Sequence, residues 1–469
     1  VTGYEFSETD IEHRPGVILI AGAVAFFAIT AALWAFFLGE ALILKGIAIV
    51  AATMVGIVIF MEPLIGLCLM VFLVPVEEVR SFLGGWVTPT KVVGAITFVS
   101  FLINARLRRG MFRFDKQSHW MFAFAVWTAL SFLWAKQKAS VPFLVLTVGQ
   151  LALFWVLIRA SLRSPREFLA VSMAFIVGTL AGILIAAVLP RWGLAPRLMY
   201  TTGNPNHLAR DIVVSLILLL YYAPRLRSWA FLSAIAAGAV LVLGLVLTQS
   251  RAVWLAAVFC IPLVLLGHKK AASAAAVAWM VSLALVMFSI RVLSAHLGVT
   301  EANLEHRWES IFHTRVAKSS RVDIWRAGIR LGSRYPILGV GAGGFVGSVP
   351  DVIETMPDFA GAHAEIGAHN TFLCAFAELG VVGLIVVVGI LWHCGRAIAQ
   401  QPRSLEKMVA WALFGSVVVR MVFSTALMQK TIWFTLALSQ VILRKGIAAQ
   451  EPADDALAFN HADGVAGDE

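Results

Sequence analysis

Apolar runs of about 20 residues recur along this chain from residue 16 to residue 444, each long enough to cross a hydrocarbon core of about 30 Å. That repetition admits few folds. A transmembrane barrel would need short strands of alternating polarity, and the sequence has none. Only 14% of the residues are charged and 60% are hydrophobic, where a soluble domain is about a quarter charged. Mean hydropathy is +0.85. The expected fold is therefore all-α, a polytopic transmembrane helical protein of about fourteen spans. Those spans fall at 16–38, 43–60, 62–76, 88–104, 118–135, 141–159, 168–189, 206–222, 229–247, 251–267, 272–290, 370–392, 407–424 and 428–443. The long stretch from Leu42 to Val76 is divided at Met61-Glu62-Pro63, because proline disrupts a helix and glutamate prefers an interface.

The loops orient these spans. Arg106, Arg108, Arg109, Arg113 and Lys116, then RASLRSPRE, PRLRS, GHKK, the segment from Arg396 to Lys407, and Arg444-Lys445 all fall on alternate connections. The positive-inside rule makes that face cytoplasmic and puts both termini there. The net charge of +10 is thus carried by short topology signals and does not form a nucleic-acid surface. The first apolar run lacks a small-residue cleavage site, so it reads as a span and not a removable signal; a start at Val1 suggests trimming or an alternative start codon. Cys68, Cys260, Cys374 and Cys394 are too scattered for a metal knuckle or a disulfide framework. The expected organisation is an N-terminal transmembrane bundle (1–290), a periplasmic loop with amphipathic helices (291–368), C-terminal transmembrane helices (369–445) and a disordered, acidic cytoplasmic tail (446–469).

The external face carries basic residues that topology does not explain. Arg191 and Arg197 precede GNPNHLAR, which contains Asn206 and His207. TQSRAVW places Arg251 at a helix mouth. The long loop holds SSRVDIWRAGIRLGSRYP, with Arg321 and Arg326. Val322, Ile324, Trp325, Ile329 and Leu331 suggest an amphipathic helix lying on the membrane or across a cavity mouth, with Ser319 or Ser320 as cap and Pro336 past its end. His369 and Asn370 open the next span, and Arg420 lies inside an apolar run near the same edge. Several guanidiniums at one bilayer level suit a phosphorylated lipid headgroup, because arginine stays charged and grips phosphate oxygens through its planar fork. A pyrophosphate leaving group gains most, since its charge grows as its bond to a sugar breaks. A nearby histidine can take the proton of an incoming hydroxyl. Together these describe transfer of a lipid-linked sugar, for which no metal or nucleotide cofactor is needed.

Plainer roles compete. Loop arginines can bind bulk lipid phosphate, Arg251 can snorkel, and Arg321 can pair with Asp323 or Glu309. Glu378 can serve as the counter-ion of Arg420, and Asn206 and His207 can cap their helix. GVGAGG at 339–344 has the spacing of a dinucleotide fingerprint but no strand before it, so it reads as a tight glycine-rich turn. The histidines at 296, 306, 313, 363 and 369 match no strong zinc spacing.

The order of GNPNHLA, TQSRAVW, RVDIWRAG, YPILGVGAGGF and GAHNTFLCAFAELG around one large loop resembles the bacterial O-antigen ligase and polymerase superfamily, from about residue 190 to 395. The resemblance is closest to the ligases. It implies an inner-membrane glycosyltransferase of the GT-C kind, working on the periplasmic side. Its donor would be an O-antigen polysaccharide on undecaprenyl pyrophosphate, and its acceptor a sugar hydroxyl of the lipid A-core in lipopolysaccharide biosynthesis. The transfer would invert the anomeric centre without a metal. By position, His369 matches the family's loop-end histidine that activates the acceptor, and Arg251 matches the arginine that holds pyrophosphate. Arg191 or Arg197 would be a second phosphate ligand, and Arg321 lies in the family's R-x-x-x-W element. An O-antigen polymerase, a protein O-oligosaccharyltransferase and a lipid-linked glycan transporter are the alternatives.

Overall fold

The computed structural model describes residues 42–76, 88–107, 116–188, 198, 205–226, 228–268, 321–356 and 367–444. Among these described residues every regular element is helical and none is a strand. The main helices are α1 (Leu42–Met61), α2 (Pro63–Val76), α3 (Pro89–Leu107), α4 (Lys116–Leu130), α5 (Val141–Ser161), α6 (Pro165–Val188), α7 (Pro205–Tyr222), α8 (Ser228–Thr248), α9 (Arg251–Gly267), α10 (Arg321–Arg334), α11 (Thr371–Ala399), α12 (Leu405–Phe423) and α13 (Lys430–Val441). Among the described residues, five helical segments are long and apolar enough to cross a membrane: Lys138–Ser161, Pro165–Val188, Pro205–Arg225, Ser228–Thr248 and Thr371–Ala399. The expected spans 16–38 and 272–290, residues 108–115, Arg227, Lys269, Lys270, Arg191, Arg197, His363 and the tail from Lys445 lie outside the described residues.

The chain forms two compact units, Val1–Met70 with Ser81–Met111, and Val71–Arg80 with Phe112–Glu469. In the first, α1 packs on α3 through Val55 and Ile59 against Val93 and Ile96. The Ser100 hydroxyl donates to the Phe60 carbonyl at 2.7 Å. The helix breaks at Glu62, where Pro63 starts α2 and has no N–H to continue the ladder of α1.

The second unit is built around α13, buried from Thr431 to Val441. A helix apolar all round belongs in a core, and this one carries the large rings that fill it. Phe434 stacks on Phe175 with centroids 4.6 Å apart, and Trp433 meets Trp155 edge-on at 6.4 Å. Its polar side chains bond back to the helix: Thr435 donates to the Thr431 carbonyl and Ser439 to the Leu436 carbonyl.

Residues 321–356 make a small core of their own against α11. Ile324, Ala327 and Leu331 of α10, with Val340, Phe345, Val349 and Val352, close over Ala368 and Ala377. The contact stripe of α10 is narrower than its large apolar residues suggest. Val322 and Ile329 are exposed, while Gly328 and Gly332 lie against Leu373 and Phe376. The small residues let α10 pack closely on α11. Asp323 in its first turn and Arg334 in its last suit the helix dipole.

The glycine-rich turn has a definite task. α11 is interrupted at Gly380, whose φ of 69° and ψ of −169° are open essentially to glycine alone. The turn supplies partners for the interruption: Val340 N–H donates to the Ala377 carbonyl (3.0 Å), Gly341 N–H to the Glu378 carbonyl (2.8 Å), and Val381 N–H to the Pro336 carbonyl (2.8 Å). The Glu378 carboxylate accepts from Gly343 N–H and Phe345 N–H at 3.0 and 3.2 Å. Two indoles complete the set, Trp127 Nε1 donating to the Leu379 carbonyl and Trp134 Nε1 to the Leu338 carbonyl. A Cβ at Gly380 would collide with the Ile337 carbonyl oxygen. Gly380→Ala is therefore expected to destabilise the protein by at least about 1–3 kcal/mol from conformation alone, seen as a lower Tm in detergent; an unchanged Tm would contradict this account of the break.

Candidate functional site

In the second unit, polar groups separate to two ends. At one end they are satisfied. Gln117 Nε2 donates to Gln440 Oε1, Arg159 Nη1 donates to Gln117 Oε1, and Arg444 Nη1 donates to the carbonyls of Arg159 and Leu162. Arg225 pairs with Glu406 at 3.5 Å and lies over the Tyr221 ring. These contacts tie helix ends together.

The other end gathers the residues that the sequence singles out. α8 and α9 are joined by a two-residue reversal at Gln249 and Ser250. Gln249 holds φ of +50°, and Trp254 Nε1 locks the turn by donating to the Leu245 carbonyl at 3.0 Å. This makes Arg251 the first residue of α9. Leu198 N–H donates to the Leu247 carbonyl at 2.9 Å, bringing one residue of the preceding connection to the same reversal. Ser250 does not cap α9 through its side chain; its hydroxyl donates to Asn206 Oδ1 at 2.5 Å in the first turn of α7.

From Asn206 the polar chain continues. His207 Nε2 lies 3.4 Å from Gln429 Nε2, and Gln429 Oε1 accepts from Arg210 Nη1. The strap that leads to Gln429 is fixed in turn to the start of α11. Thr371 Oγ1 donates to the Ser424 carbonyl (2.7 Å) and accepts from Ala426 N–H (3.0 Å). Asn370 caps α11, its Oδ1 accepting from Leu373 N–H at 2.9 Å. His369 sits one residue earlier, exposed, at φ +46°. The start of α9, the start of α7, the 424–429 strap and the start of α11 are thus one connected level.

Arg321 is the first residue of α10, and Asp323 pairs with Arg326 at 3.7 Å. Glu378 is not the counter-ion of Arg420, because its carboxylate is taken by the glycine-rich turn. Arg420 faces α7 instead, within electrostatic reach of Arg210 and Asp211. Arg420, Arg210 and Asp211 are each at most 4% exposed. Sequence reasoning gave Arg210 and Asp211 no role, although two charges inside the apolar run 206–222 were the available signal. Gln429 and Thr371 carry no such signal. Among the described residues no group of three or more His, Cys, Asp or Glu could hold a metal ion.

A non-glycine residue in the left-handed region costs about 1–2 kcal/mol. The exposed His369 side chain recovers little of that through packing. His369→Gly is therefore expected to be more stable than His369→Ala by about 1 kcal/mol, measured by thermal unfolding; equal stabilities would show that the left-handed backbone carries no strain.

Residues 236–388 match the family model described as O-antigen ligase. That stretch opens inside α8 and ends inside α11, so it contains Arg251, Arg321, His369 and the glycine-rich turn, and leaves α7, α12 and α13 outside. No curated protein matches the chain. With its several apolar helices this is a membrane protein, and its residues 236–388 are similar to the O-antigen ligase family.

Proposed function

We propose that this protein is an O-antigen ligase, a GT-C-type inner-membrane glycosyltransferase that moves a polysaccharide from undecaprenyl pyrophosphate to a sugar hydroxyl of the lipid A-core, with its site facing the periplasm. The observation that carries the reading is the placement of His369. It is exposed, conformationally strained, and connected through Thr371, the 424–429 strap, His207, Asn206 and Ser250 to the helix start that bears Arg251.

In this reading His369 takes the proton of the acceptor hydroxyl as the acceptor oxygen attacks the anomeric carbon. The bond from that carbon to the pyrophosphate oxygen breaks, and its electron pair leaves with the pyrophosphate. One displacement at one carbon inverts the centre. Arg251 at the start of α9, with Arg191 or Arg197 as second ligand and Arg321 at the start of α10, meets the charge that develops on the leaving group. Asn370 and Thr371 hold His369 in place through the cap and the strap. Asn206 and His207 join the two helix starts. Glu378 positions the turn against α11 and takes no part in the proton transfer.

Purified protein, lipid-linked polymer and three acceptors test this directly: lipid A-core, a second lipid-linked repeat, and a pilin-like peptide. Transfer to lipid A-core is expected, and His369→Ala should lower kcat by roughly 10²–10⁴-fold while donor binding survives. Normal turnover in that variant would remove the base assignment. Extension of the second repeat alone would make the protein a polymerase, and transfer to the peptide alone a protein glycosyltransferase. Donor moved across a bilayer with no covalent product would make it a transporter.

A further inference from the structure

We propose that Arg420 and Arg210 form a second, internal oxyanion site that takes a phosphoryl group, separate from the Arg251 position and built on helices outside the family-matched segment. Arg420 is 4% exposed, and none of its three guanidinium nitrogens has a hydrogen-bond partner among the described residues. A buried arginine ordinarily has its donors occupied, because removing a charge from water without pairing it costs several kcal/mol. The arginines at the opposite end of the same unit obey that rule through Gln117, Glu406 and main-chain carbonyls. Arg420 does not: its five N–H donors have no acceptor among the described residues.

Its surroundings fit an anion. The charges within its reach are Arg210 and Asp211, both on α7. Among the described residues the cluster is two guanidiniums and one carboxylate in a buried setting. At about 1.5 Å per residue, Arg210 and Asp211 lie roughly 8–9 Å along α7 from its start, and Arg420 about 5 Å from the end of α12. The cluster is therefore one to two turns below the connected polar level. Gln429 and His207, both half-buried, belong to that level, and Gln429 reaches the cluster through Arg210. Gln429 Oε1 accepts from Arg210, a neutral oxygen in the place where a charged one would bind more strongly. A tetrahedral phosphoryl group offers several oxygens, enough to meet two planar forks at once.

The same chemistry is presented by free phosphate or pyrophosphate and by the head of a polyprenyl phosphate or pyrophosphate. The full-length chain in detergent can be tested by thermal unfolding at constant ionic strength, with chloride as reference and four probes: inorganic phosphate, inorganic pyrophosphate, a short-chain polyprenyl monophosphate and the corresponding pyrophosphate. At least one probe should raise Tm by several degrees, since a ligand that binds only the folded state stabilises it. Free anions alone would identify a soluble ligand, and polyprenyl probes alone a lipid-linked one. Arg420→Gln should abolish that rise, with an apparent affinity at least tenfold weaker, while leaving the ligand-free Tm unchanged or higher because an unpaired charge has been removed. Arg420→Lys, which keeps the charge, should retain part of the response.

A merely structural arginine would behave in the opposite way, with a ligand-free Tm that falls in Arg420→Gln and an anion response that stays. That result overturns the proposal, as does the absence of any rise in the wild-type protein. If Arg420→Gln does not fold, the wild-type series and Arg420→Lys decide: a response equal to wild type for chloride and phosphate alike would end the proposal. All these readouts are of binding, so they can fail while sugar transfer stands, and succeed if transfer proves to be something else.

Discussion

Inside an apolar bundle, every backbone N–H and carbonyl needs a partner within the protein, and the second unit is arranged around the one place where its longest helix cannot supply them. The interruption of α11 at Gly380 frees carbonyls and amides at a depth where water does not serve. Val340 and Gly341 N–H, the Pro336 carbonyl and the Trp127 indole take them up, while the Glu378 carboxylate and the Trp134 indole bond the turn in return. The segment following α10 is thereby attached to α11 by backbone pairing as well as by the apolar core beneath α10. Because His369 begins the same helix about a dozen residues earlier, the break and its partners also determine where that end of α11 stands.

The two polar ends of the unit use similar residues in different ways. Arg159, Arg225 and Arg444 are engaged by glutamine, glutamate and main-chain oxygens, an economical solution for a helix end that only has to be stable. At the other end hydrogen bonds run from helix to helix along the surface level, through Ser250, Asn206, His207, Gln429 and Thr371, while Arg420 beneath them is left without a partner. Structural demand alone would favour an apolar residue there, since replacing an unsatisfied buried charge by a packed hydrophobe commonly stabilises a protein.

Much of the fold was legible in the sequence because hydropathy and proline report directly on helix length and helix breaks. The division at Glu62-Pro63 and the starts of α7 and α9 follow from those signals. The break at Gly380 was not legible, because ELGVVGL reads as continuous apolar helix and the demand for a glycine comes from the Ile337 carbonyl, more than 40 residues away. The face of α10 was legible only in part: Ile324 and Leu331 are buried as the apolar pattern suggests, but Val322 and Ile329 are exposed, and Gly328 and Gly332 lie against Leu373 and Phe376. Within the candidate site, Arg251 and His369 stood out by residue type and by their position at loop ends. Gln429 and Thr371 are ordinary polar residues whose importance comes from what they touch. Glu378 and Arg420, the two charges most easily paired on paper, belong to different networks.

Left-handed backbone by itself does not mark a functional residue, and the three non-glycine examples show why. Gln249 lies in the two-residue link between α8 and α9, where a tight reversal needs a residue of that conformation, and Ser228 is the first residue of α8, where the chain turns into the helix. His369 has no such excuse. More than 30 residues separate it from the end of α10, so chain closure leaves room for a relaxed approach. The conformation persists because the residues after it are held twice, Asn370 by capping α11 and Thr371 by bonding both sides of the 424–426 strap. Strain that connectivity does not require, at an exposed histidine with little packing to gain, implies that the direction of the side chain has been favoured over the comfort of the backbone.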